Sequence, residues 1–101
     1  MEITAVTSFI VHPRWRKNWV FVKLETEEGI TGWGESYTQY DRDTAVTAQI
    51  EELARYVVGR SPFNIKHFTQ MAYDDFAQRR GAMDFYSAVS GIEQAMWDIV
   101  G

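Results

Sequence analysis

Hydrophobic and polar positions alternate with a period of two in the first third of the chain and recur every three or four residues after it. Residues 3 to 11 are rich in Ile, Val, Thr and Phe, and Trp19 to Thr26 sets Val20, Val22 and Leu24 against Phe21, Lys23 and Glu25, which is the pattern of strands with one face on a core. Thr26-Glu27-Glu28-Gly29 reads as a turn with glycine where positive φ is needed, and Ile30 to Tyr37 returns as a third strand containing Gly32 and Gly34. A three-stranded antiparallel meander is predicted. How fully its second face is covered stays open, because Phe21 shares that face with Lys23 and Glu25.

Beyond Tyr37, Asp41 or Asp43 is a candidate N-cap, and Val46, Ile50, Leu53, Ala54 and Val57 predict a first helix that Gly59 ends. Ser61-Pro62 is a stop, and a second helix is predicted from about Asn64 to Gln78, with Ile65, Phe68, Met71, Ala72 and Phe76 on one face. Gly81 separates it from a third, about Asp84 to Ile99, carrying Phe85, Ala88, Ile92, Ala95, Met96 and Ile99 on one side. Ser87, Gly91 and Ala95 form a small-residue row at intervals of four, which permits close approach to a neighbouring element. Strands followed by helices define an α+β fold with segregated halves. Trp97, large and apolar near the last residue, predicts that something further along covers it, and hence that the chain is a fragment.

Composition narrows the field. At 101 residues the chain is at most one domain, able to bury roughly two thirds of its unfolded surface. Fourteen acidic against 10 basic residues give a net charge of -4, which argues against phosphate-driven binding to nucleic acid. The absence of cysteine excludes disulfides, thiolate metal sites and a cysteine nucleophile, and suits the cytoplasm. The opening residues lack a basic region followed by an apolar run, and no apolar run is long enough to span a bilayer, so a soluble protein with no membrane partner is expected.

Candidate chemistry is sparse. His12 and His67 have no second ligand at a zinc spacing, and Glu27-Glu28, Glu51-Glu52 and Asp74-Asp75 are adjacent pairs that diverge rather than converge on an ion. Gly32-Trp33-Gly34 lacks the ending of a phosphate loop and reads as strand twist or a bulge. Ser8, Ser36, Ser61, Ser87 and Ser90 fit no nucleophile motif. Three connections stand out instead: residues 12 to 18, residues 36 to 43 with Tyr37, Gln39, Tyr40, Asp41 and Arg42, and Arg79-Arg80-Gly81. The first lies in VHPRWRKNW, with three cations and two tryptophans. Such loops either close over a small anion, arginine supplying paired donors to a carboxylate, or form solvated turns whose tryptophans tuck back onto the sheet.

The segments VKLETEEGITGWGE (22–35), VGRSP (58–62) and SAVSGIEQAMWDI (87–99), in this order and spacing, resemble the N-terminal capping domain of the enolase superfamily, in its mandelate racemase and muconate lactonizing enzyme branch. The resemblance covers essentially the whole chain. It implies a larger C-terminal β/α barrel, absent from this chain, that binds Mg²⁺ through three acidic residues and carries the acid and base; the base removes a proton alpha to a carboxylate and the metal stabilises the enediolate. No catalytic residue and no metal ligand is assigned within these residues, and the chain alone is expected to be inactive.

By the same resemblance, the capping domain supplies specificity through two loops over the barrel mouth, here His12 to Asn18 and Ser36 to Asp43. Pro13-Arg14-Trp15 and Arg79-Arg80-Gly81 look most like the acid-sugar dehydratases, whose substrates are polyhydroxylated carboxylates. Arg14, Trp15, Tyr37, Gln39, Tyr40, Arg42 and Arg80 are the expected substrate contacts, with Gln39, Tyr40 and Arg42 on the distal hydroxyls and Arg14 or Trp15 opposite. Arg79 and Arg80 also suit a helix C-terminus and have that role as an alternative. Racemisation or cycloisomerisation, which share the first proton abstraction, remain the alternative chemistry, and a free-standing binding module the alternative class. Family members commonly form symmetric homo-oligomers, which the resemblance carries to this chain.

Overall fold

The computed structural model describes residues 1–12, 18–36, 42–75 and 83–101. Strands β1 (Ile3–Val11), β2 (Trp19–Thr26) and β3 (Thr31–Ser36) form an antiparallel sheet in the order β1-β2-β3. Val20, Val22 and Leu24 point inward and are fully buried, as their alternation predicts, while Phe21, Lys23 and Glu25 on the other face are half-buried. The β2–β3 turn is closed by Thr26, whose Oγ1 donates to the Ile30 carbonyl at 2.9 Å and accepts the Ile30 N–H at 3.1 Å. Gly29 sits in it at φ 82, a conformation that a β-carbon opposes.

Helix α1 (Asp43–Val57) follows, with Val46, Ile50, Leu53 and Val57 buried along one stripe. Its N-cap is Arg42, not Asp41 or Asp43: Arg42 makes no side-chain cap bond, its carbonyl accepts the Val46 N–H at 3.0 Å, and Asp43 is already helical. The helix ends as predicted at Gly59, φ 90. Gly59 N–H then donates to the Ile3 carbonyl and Ile3 N–H to the Arg60 carbonyl, both at 2.8 Å, pinning the start of β1 to the end of α1. Helix α2 (Ile65–Asp75) buries Ile65 and Phe68; Phe76 and Gln78, expected at its end, lie outside the described residues. Helix α3 (Met83–Val100) buries Phe85, Ala88, Ile92, Ala95 and Met96 against the sheet and the other helices, with Ile99 partly buried beside them.

Helix α3 and strand β3 meet backbone to backbone. A β-carbon on Gly34 would strike the Gly91 carbonyl oxygen and come within 2.9 Å of the Ala95 nitrogen, and one on Gly32 would strike the Ala95 carbonyl oxygen. The glycines of Gly32-Trp33-Gly34 thus make room for a helix, which corrects the expectation of strand twist or a bulge: β3 pairs with β2 without a register shift, and the sheet's irregularity falls between Ile3 and Ala5. The small-residue row of α3 does what its spacing predicts, Gly91 and Ala95 forming the other half of the contact. Across the same seam, Asp98 accepts the Trp33 N–H at 2.9 Å and Gln94 the Glu35 N–H at 3.2 Å. Side chains one helical turn apart therefore cover donors on the outer edge of β3.

Candidate functional site

The β1–β2 register runs to Val11 opposite Trp19, so the next pair outward is His12 and Asn18, facing each other at the base of the first connection. His12 Nδ1 and Asn18 Oδ1 lie 2.5 Å apart, and Asn18 Nδ2 donates to Asp43 Oδ2 at 3.1 Å. A carboxylate only accepts, so Asp43 fixes which end of the Asn18 amide points where; the amide oxygen is then left for His12, whose Nδ1 carries the proton it donates. This chain joins the base of the first connection to the first residue of α1, on the far side of the second.

Strand β3 delivers the second connection to the same end. It finishes at Ser36, 1% exposed, whose Oγ lies over the α-carbon of Gly91 and has no hydrogen-bond partner among the described residues. Helix α3 runs antiparallel to β3, since Ile99 and Ala95 meet Gly32 while Gly91 meets Ser36. Its residues before Gly91 thus continue past the end of the strand, by about 12 Å at 1.5 Å per residue. The residues flanking the first two connections, and the first turns of α3 that follow the third, gather at one end of the domain. Of the expected contacts, Arg42 lies there, exposed at the N-cap of α1. Arg14, Trp15, Tyr37, Gln39, Tyr40 and Arg80 lie outside the described residues.

The remaining candidates sit elsewhere. His67 Nε2 is 3.2 Å from an Arg60 nitrogen at the rim of a cavity of about 400 Å³ lined also by Tyr56, Asn64, Phe68 and Met96. This cavity is at the C-terminal end of α1, about 20 Å of helix from Asp43. Glu27 and Glu28 are exposed on their turn, 3.8 Å from the amino terminus. Among the described residues no three His, Cys, Asp or Glu side chains are grouped so as to hold a metal ion, and no helix is long and apolar enough to cross a membrane. The Mg²⁺ implied by the resemblance therefore does not fit any described part of this chain.

The sequence reading passed over His12, Asn18 and Asp43 as a group because it treated His12 as isolated. The signal was present: extending the strand register by one step places His12 against Asn18.

A three-stranded antiparallel meander followed by three helices that cover one face is an α+β domain. The model of the family "Mandelate racemase / muconate lactonizing enzyme, N-terminal domain" matches residues 4–101, and the chain belongs to this family. It is 46% identical over 101 residues to a D-galactonate dehydratase of Xanthomonas campestris pv. campestris, covering 100% of this chain and 25% of that protein. Among solved structures, an enolase-superfamily member from Salmonella Typhimurium superposes with a TM-score of 0.91 at 31% identity, covering 99% of this chain and 26% of that one. A mandelate racemase/muconate lactonizing enzyme from Sulfitobacter gives 0.88 at 34% identity, covering 100% and 27%. The chain thus spans about a quarter of the length of the relatives it matches.

Proposed function

We propose that these 101 residues are the capping domain of a full-length, Mg²⁺-dependent acid-sugar dehydratase, completed by a C-terminal catalytic barrel. The carrying observation is that the residues flanking the first two connections meet at one end of a domain 46% identical to a D-galactonate dehydratase. Mg²⁺, held by the remainder of the protein, supplies electrostatic stabilisation for the charge that appears when a proton alpha to a carboxylate is removed. This chain's part is binding. Arg14 and Arg42 offer guanidinium donors, Tyr37, Gln39 and Tyr40 replace the water hydrogen bonds of substrate hydroxyls, Trp15 excludes solvent, and Arg80 approaches from the third connection.

Arg42 supports this reading from an unexpected side. A cation at a helix N-terminus opposes the helix dipole, and Arg42 makes no cap bond with its side chain. It lies exposed at the end of the domain where the residues flanking the first two connections meet. In the full-length enzyme, Arg42→Ala should lower kcat/KM on D-galactonate about tenfold or more; an unchanged kcat/KM for every acid sugar assayed overturns the assignment. Product analysis separates the alternatives within the branch, since dehydration yields a keto-deoxy acid whereas racemisation returns an isomer of the same mass.

The reading as a free-standing binding module is weakened by the surface. Trp33 is 48% exposed and Trp97 56%, more large apolar surface than a domain built to stand alone commonly leaves in water.

A further inference from the structure

We propose that Asn18 is a positioning residue for Arg42, tying the base of the first connection to the first turn of the helix that follows the second. The inference rests on the proposed function for its consequence in substrate binding, but its structural content stands on the described residues alone.

The geometry leaves Asn18 little choice. It sits one step beyond the last paired residues of β1 and β2, where the strands separate. Its half-buried amide spends both ends: the oxygen on His12, at the other side of the same connection, and the nitrogen on Asp43, 25 residues later at the start of α1. Without that amide, the α1 N-terminus loses a side-chain tie to the sheet at this end. Arg42, the expected substrate contact among the described residues, immediately precedes Asp43, so a shift of Asp43 is a shift of Arg42. On the other side of Asn18, the Trp19 backbone enters the sheet, so the anchor for the tie is itself rigid. A single side chain thereby fixes the base of the first connection against the start of α1, and with it the position of Arg42.

The pattern of loss separates positioning from simple stability. Asn18 touches Asp43 through a donor, and an asparagine at position 43 still accepts that donor, whereas alanine does not. In the full-length enzyme, Asn18→Ala and Asp43→Ala are each expected to raise KM for D-galactonate about tenfold with kcat changed less than about twofold. Their combination should be no worse than Asn18→Ala alone, because that variant already removes the tie to Asp43. Asp43→Asn should stay within about twofold of the parent. A readout independent of activity is amide exchange without substrate: Asn18→Ala should accelerate exchange in residues 13–17 and 37–41 together. Acceleration confined to one of the two segments, additive losses in the double variant, or Asp43→Asn as impaired as Asp43→Ala overturns the proposal. If Asn18→Ala does not fold, the Asp43 pair decides by the same comparison. An enzyme that turns over no acid sugar removes the proposed function, while exchange still decides whether the tie couples the two connections.

Discussion

Glycine positions in this chain carry two unlike demands, and substitution separates them. At Gly29 a β-carbon meets nothing within 4 Å and the difficulty is positive φ alone, so Gly29→Ala should cost about 1 kcal/mol. At Gly34 a β-carbon meets backbone of α3, which cannot turn aside as a side chain can; Gly34→Ala should cost about 3 kcal/mol or more. The shifts in unfolding midpoint of the two single variants check the order, and equal losses would show that α3 yields easily. The sequence shows the small-residue row of Ser87, Gly91 and Ala95 plainly, because helical spacing is a local property. It does not show which residues receive that row, because packing across 59 to 65 positions of chain, as between Gln94 and Glu35 or Asp98 and Trp33, leaves no local period. The His12–Asn18–Asp43 chain was half legible on the same grounds: the hairpin half follows from register, the contact with α1 does not.

Among the elements, α3 does the most. The predicted boundaries of all three strands and of α1 agree with the structure to within one or two residues, since alternation, helical period and glycine stops all act locally. The exception is the cap of α1, where propensity favours an aspartate and the chain places Arg42 instead. Exchanging Arg42 for serine should stabilise α1 by about 0.5 kcal/mol by removing a cation from the positive end of the helix, even as it weakens substrate binding; opposite movements of unfolding midpoint and kcat/KM are the expected signature. Loss of both quantities would instead assign Arg42 to the support of the fold. On α3, Asp98→Ala removes the acceptor for the Trp33 N–H and should cost about 1 kcal/mol, with Asp98→Asn recovering most of it. Unfolding midpoints of the two variants measure the difference.

For the molecule as a whole, the outward face of the sheet is distinctive. Phe9 packs on Trp33 with ring centroids 5.7 Å apart, Trp19 lies edge-on to Phe21 at 6.2 Å, and the Lys23 ammonium sits 5.7 Å from the Trp33 ring. Phe9, Trp19 and Trp33 are exposed, with Phe21 and Lys23 half-buried among them. Phe85 and Met96 are in the core, and Phe63, at 61%, and Trp97 are among the exposed large apolar residues. Sedimentation of the isolated 101-residue chain should show self-association at concentrations where the full-length protein sediments as a single species. A stable monomer would favour the free-standing module. The seal that α3 places on β3 also has a cost in time. Trp33 is synthesised 65 residues before Asp98, so throughout the translation of α1 and α2 the nascent hairpin presents an open edge to neighbouring chains. Variants that weaken the seal should therefore lower soluble yield from the ribosome more than they lower the stability of protein already folded.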